Sequence, residues 1–396
     1  MKRSTRPLIF FAFLAFISLG LPDGLFGVAA PSVRQTFSVG YDVMWMAALA
    51  GVLGYSTSGF FSGRLVAWMG VGKLLAASCA LTGLTLLGNT LVPSWYWWVG
   101  ISVFGGIGAG AIDSGLNTFM ASHYGEHVMQ WLHASYGVGV TLGPLMMTAA
   151  LTWFNNWRLG YQWSGIGQLL LALAFLITVT MWADNTPASA AGEKKIHEYN
   201  TPIRETLAKP IAWMSMGLFF FYVGTEVSFG TWTYSILTES RGVDVATAGL
   251  WAGSYWATFT VGRIVAGFLT RLVGTNRLLN GGLLVGLAGA VLLWANPFPA
   301  ASIIAVAVVG FAIAPIFPAF MSITAERVGQ KHAANAIGLQ IAATGLGGAA
   351  LSGLAGILAQ RTSLKLEVIP MLLVIQFVLL LGLQWATSRT PATIEA

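Results

Sequence analysis

Charge is scarce in this chain. Asp, Glu, Lys and Arg together make up 9% of its 396 residues, whereas soluble domains carry about 25%. So few charges cannot clothe a water-facing surface, which excludes a soluble enzyme or binding module. Cysteine is nearly absent too: the single Cys79 excludes an internal disulfide framework and a Cys-rich metal site. No other metal-ligand spacing occurs, so no metal and no cofactor are expected. A phosphate-binding loop of the G-x-x-x-x-G-K-[ST] type is missing, and no segment is long enough to form a nucleotide-binding domain, which excludes ATP-driven work. Long polar stretches are also missing, with one exception at 184–209.

What the chain has is oil. Hydrophobic residues reach 56% and mean hydropathy is +0.72. A spanning helix needs about 20 apolar residues, and reading between polar breaks predicts twelve: 7–30, 43–68, 72–91, 95–122, 130–154, 160–183, 211–237, 246–272, 277–295, 299–325, 332–360 and 365–389. The start "MKRSTRP" is basic like a signal peptide, but the apolar run behind it is too long and no cleavage site follows; it reads as the first span. The stretch 184–209 divides the chain into an N-terminal bundle (1–183), a linker and a C-terminal bundle (210–396). The expected fold is all-α, with twelve transmembrane helices in two pseudo-symmetric six-helix bundles.

The net charge of +6 points to topology rather than nucleic acid, because the basic residues sit in short loops between spans. Of the 20 Lys and Arg, fourteen fall on the side of the two termini, five on the other, and Arg263 within a span. The excess predicts cytoplasmic termini, and the short loops suit a bacterial inner membrane. Trp95, Trp97, Trp98, Trp153 and Trp157 lie at span ends and fit an interfacial aromatic belt. His123 and His127 fall in the loop between spans four and five and read as solvated.

The halves repeat. Asp23 follows Pro7 by sixteen residues, and Glu226 follows Pro210 by sixteen. "GFFSGRLVAWMGVGKLL" (59–75) aligns with "GFLTRLVGTNRLL" (267–279), each at the end of the second span of its half. Transporters built from such repeats hold substrate near the midplane, between the repeats.

The first of these segments resembles the loop signature of the major facilitator superfamily, although Ser62 and Gly63 stand near the place of its customary aspartate. "YGVGVTLGP" (136–144) resembles that superfamily's glycine–proline motif in helix 5. Within the superfamily, "LPDGLFGVAAPSVRQTF" (21–37), "GAGAIDSGLNTF" (108–119), "WLHASYGVG" (131–139) and "FYVGTEVSFGTW" (221–232) are similar to the fucose, galactose and glucose permeases. The resemblance implies alternating access, a small-molecule substrate, a monomer in the bilayer, and proton- or sugar-linked acids at Asp23 and Asp113.

The residues point the same way. Asp23, Asp113 and Glu226 are the carboxylates placed well inside spans, where a charge is costly and most often functional; the alternative is a structural carboxyl with a fixed partner. They are the candidates for proton coupling, with sodium as a possible substitute. Asp113 and Asn117, four apart, share a helix face that suits sugar hydroxyls or an interhelical bond. His133 and Tyr136 lie together on the fifth span. Gln340 and Thr344, one turn apart on the eleventh, either face the cavity or serve as packing glue. Tyr222, Tyr255 and Trp256 offer aromatic faces to a sugar ring. Arg64, in the loop signature, and Arg263, with Glu326 or a carbonyl as its partner, read as an inner gate.

Together these residues predict a proton-coupled symporter for a small, neutral, polyhydroxylated solute such as a monosaccharide. A proton-coupled antiporter exporting drugs or metabolites is the first alternative, and a transport-dead receptor or scaffold the second.

Overall fold

The computed structural model describes residues 6–124, 126–182 and 201–389. Among them every regular element is helical: α1 (Arg6–Phe37), α2 (Trp45–Asn89), α3 (Trp95–His123), α4 (Glu126–Phe154), α5 (Trp157–Ile177), α6 (Ile203–Leu207), α7 (Pro210–Ser235), α8 (Val245–Val273), α9 (Thr275–Ala295), α10 (Ala301–Ile313), α11 (Ile316–Ser322), α12 (Thr324–Val328), α13 (Gln330–Arg361) and α14 (Val368–Arg389). Helices are what an apolar solvent demands, since lipid offers no partner to a free backbone N–H or C=O. Most of the expected linker (184–200) lies outside the described residues, as do Lys2, Arg3, Lys194 and Lys195 and the side chains of Arg6, His127 and Arg271.

Eleven stretches among the described residues are long and apolar enough to cross a bilayer. The expected span at 246–272 forms as α8, a 29-residue helix, but Thr, Ser, Tyr and Arg dilute its apolar character. Spans two and three are joined through Gly70, whose φ of 75° interrupts α2. The equivalent joint between α8 and α9 is Gly274, with φ of 82°. Only glycine adopts such angles without strain, and the two glycines fall at matching places in the aligned loop segments.

The described residues gather into two compact units. The first takes 6–40, 46–182 and 241–256; the second takes 41–45, 201–240 and 257–389. Two short segments therefore pack with the opposite half from the one expected. In the second unit the Tyr41 hydroxyl donates to Glu239 Oε2 at 2.9 Å, and the Tyr41 amide donates to Gln360 Oε1 at 3.2 Å. In the first, a side chain at Gly249 would collide with Thr148 on α4.

Each unit is built on one intimate helix pair. In the first, α1 lies against α4 so closely that a Cβ on Gly139 would overlap the Ile17 carbonyl oxygen. In the second, α7 meets α13, and a Cβ on Gly347 would overlap the Phe220 carbonyl oxygen. Ile17 and Phe220 correspond under the alignment that pairs Asp23 with Glu226, so the contact itself is duplicated. One turn further the same duplication swaps its glycine: Gly143 sits on Leu21 in α1–α4, while Gly224 sits on Leu351 in α7–α13.

Proline does not break α1. Pro22 lies inside a continuous 32-residue helix, and its missing N–H leaves the Ser18 carbonyl without its helical donor. Gln168 on α5, fully buried, donates its Nε2 to that oxygen at 3.2 Å. The core of this unit also encloses Cys79, whose thiol is wholly buried.

Candidate functional site

In the first unit, α1 and α4 set Asp23 beside Tyr136, whose hydroxyl donates to Asp23 Oδ2 at 2.5 Å. Asp23 is exposed. The second acid stands nearby: Tyr55, on α2, donates to Asp113 Oδ2 at 2.5 Å, and Asp23 is within electrostatic reach of the same phenol. Charge-assisted O–H···O bonds of this length are among the stronger ones proteins make. The site is thus two carboxylates, each held by a tyrosine from another helix.

Asp113 and Asn117 meet as their spacing predicts. Asn117 Nδ2 donates to Asp113 Oδ1 at 3.0 Å, while Asn117 Oδ1 is buried and has no hydrogen-bond partner among the described residues. A buried orphan acceptor is costly to leave unpaired. His133 stands exposed on α4, with its ring edge-on to Phe16 at 5.6 Å between centroids.

Tyr55 was not singled out from the sequence. The signal was present in "YSTS" (55–58), four consecutive hydroxyls inside an apolar span. What the sequence could not supply was the partner, which tertiary packing brings from α3.

Several expected solute contacts have partners within the protein, and Gln340, Tyr222 and Tyr255 are buried. Gln340 is fully buried; its Nε2 donates to Ser215 Oγ at 2.6 Å and lies 3.1 Å from Thr324 Oγ1. It ties α13 to α7 and α12, which is the packing-glue alternative. Thr344 returns its hydroxyl to the Ile341 carbonyl at 2.6 Å. Tyr222 is buried against Phe317 and Phe320 and donates to the Ile313 carbonyl at 3.1 Å. That carbonyl lies at the end of α10, where the helix is interrupted and needs an outside donor. Tyr255 is fully buried, packed against the half-buried Trp256 at 4.7 Å.

Glu226 is half-buried on α7, in the second unit. The expected Arg263–Glu326 ion pair does not form: the Arg263 guanidinium lies over the Phe259 ring at 4.3 Å. The cation that senses Glu326 is its neighbour Arg327, which donates to Gln384 at 3.0 Å. Arg64 is exposed, its guanidinium 5.9 Å above the Phe61 ring. The aromatic belt divides: Trp97 and Trp153 are exposed, whereas Trp95, Trp98 and Trp157 are buried in a cluster with Phe37 and Tyr161.

Long apolar helices in two repeated units, with carboxylates held inside one of them, define a multi-pass membrane transporter rather than an enzyme. The chain belongs to the Major Facilitator Superfamily, whose sequence profile matches residues 8–349, with a second match over 214–395. It is 25% identical over 404 aligned positions to Bypass of stop codon protein 6 of Saccharomyces cerevisiae, covering 94% of this chain and 80% of that protein. It is 23% identical to the glucose/mannose transporter GlcP of Bacillus subtilis, covering 87% and 86%. Among solved structures, a bacterial homolog of the human lysosomal transporter Spinster superposes with a TM-score of 0.80 at 15% identity, covering 98% of each chain.

Proposed function

We propose that this chain is a secondary active symporter that takes up a small neutral polyhydroxylated solute, a monosaccharide, with the proton as coupling ion. The observation that carries the reading is the pair of tyrosine-held carboxylates, of which Asp23 is exposed. A carboxylate deep in a bundle is tolerated when it can be neutralised, and a proton does so without adding bulk. With Asp23 charged, the Tyr136 hydroxyl donates to it. Once protonated, Asp23 becomes a donor itself and no longer requires that hydroxyl, leaving both groups able to bond a solute. Asn117, bonded to Asp113 at 3.0 Å, is proposed as the amide that meets a sugar hydroxyl. The likeness to a glucose/mannose transporter supports the sugar assignment. Glu226, at matching depth in the second unit, is proposed as an auxiliary acid. The transporter works as a monomer without cofactor, in a cell inner membrane with both termini cytoplasmic.

The test is uptake of radiolabelled glucose and mannose into proteoliposomes under an imposed inward proton gradient, beside sodium-gradient and no-gradient controls. Accumulation is expected with the proton gradient alone and lost in Asp23→Asn. Accumulation driven only by sodium would overturn the coupling ion. Dye efflux without sugar uptake would replace symport by the antiport reading.

A further inference from the structure

A cavity of about 350 Å³ opens in the second unit among α8, α9 and α10. Small residues make its floor. A Cβ on Gly262 would come within 2.6 Å of the Phe311 carbonyl oxygen, and one on Gly282 within 2.7 Å of the Ala312 carbonyl oxygen. These two glycines are needed for close helix packing. Gly281 is not: a Cβ there meets nothing within 4 Å, because it faces the open groove.

The walls are apolar, from Leu269 and Val273 on α8 to Leu278 and Val285 on α9, and the exposed Leu272, Leu284 and Phe268 lie beside them. The groove therefore opens beside exposed apolar side chains, the kind of surface that lipid covers. Among the described residues one charged side chain lines it, Arg277, in the first turn of α9 and exposed. From Arg277 to Val285 the groove follows α9 for about 12 Å, eight residues at helical rise.

We propose that this groove is a binding site for an anionic phospholipid, with one acyl chain lying along Gly281 and the phosphate paired with Arg277. An apolar trough of this depth takes a hydrocarbon chain, and a guanidinium at its mouth selects a phosphate bearing net negative charge. Neutral zwitterionic lipids fill the trough equally well but bring a cationic group to Arg277, so charge complementarity favours the anionic headgroup. By the distribution of Lys and Arg, Arg277 lies on the cytoplasmic side, the leaflet whose surface is negative. The site is independent of the sugar and proton reading and stands or falls apart from it.

The test uses the intact protein in phosphatidylcholine vesicles doped with phosphatidylglycerol that carries a photoactivatable diazirine in one acyl chain. Cross-linked peptides are mapped by mass spectrometry. Labelling is expected to concentrate on 262–285 and to fall about fivefold in Arg277→Gln, the effect of one basic residue near an anionic surface. It should also fall in Gly281→Phe, which fills the trough without meeting another atom at Cβ. Gly267→Phe is the control, since its Cβ also meets nothing within 4 Å and it lies outside the groove; it should leave labelling unchanged. Equal labelling of α14 and of the groove, or equal labelling by a phosphatidylcholine diazirine probe, would overturn the proposal. So would labelling that survives both Arg277→Gln and Gly281→Phe.

Discussion

A tyrosine hydroxyl 2.5 Å from a carboxylate has one proton to give and only one geometry in which to give it. Removing the hydroxyl from Tyr136 while keeping the ring isolates that bond. Tyr136→Phe should reduce proton-driven uptake about tenfold, the equivalent of one charge-assisted hydrogen bond, while facilitated exchange without a gradient falls less. Tyr55→Phe should act in the same direction through Asp113; equal rates for wild type and both variants would remove the tyrosines from the mechanism. Asp244, just ahead of α8, makes a different prediction. The Thr247 amide donates to its carboxylate at 2.9 Å and holds it below the usual aspartate range. A carboxyl with a lowered folded value stabilises above its unfolded value of about 3.9 and loses that contribution as pH falls through the folded one. The Tm difference between wild type and Asp244→Ala should hold from neutral pH down to about pH 5 and shrink below about pH 4. Asp244→Asn, an equivalent helix cap, should show no such dependence.

Between elements, the decisive contacts are glycine on carbonyl. Gly139→Leu and Gly347→Leu each place a side chain where the oxygen of Ile17 or Phe220 already sits. Each should cost about 1–3 kcal/mol or more, read as a lower Tm in detergent. Gln340→Leu removes the amide that joins Ser215 and Thr324. It should destabilise by about 1–3 kcal/mol and leave the KM for sugar unchanged; a raised KM with normal stability would return Gln340 to the solute. The direction of Gln340 was not legible beforehand for a physical reason. Its surroundings, "GLQIAATGLGGAA" (338–350), are small or apolar on all sides, so no amphipathic stripe marks which face meets the cavity. Asp113 and Asn117 were legible because their partnership is local, four residues apart on one helix. The burial of Tyr222 and Tyr255 was not legible, because an aromatic side chain in a membrane helix suits a core as well as a cavity wall.

For the whole molecule, the duplicated fold was written in the sequence at two places, the acids at matched depth and the aligned loop segments, and both recur as duplicated geometry. The hidden part is the exchange of 41–45 and 241–256 between units, which depends on contacts more than a hundred residues distant in the chain, such as Tyr41 with Glu239 and Gln360. Replacing Asp23, Asp113 and Glu226 together by their amides should abolish gradient-driven accumulation while the protein still reaches the membrane and runs as a monodisperse peak. Persistent accumulation in that triple variant would move the coupling elsewhere. Cys79 bears on how such motions are followed. With its sulfur buried inside the first unit, the chain is expected to be silent toward water-borne maleimides. Single cysteines introduced along α1, α2 or α4 would report their wetting during turnover against this background, with no cysteine-free parent to build first.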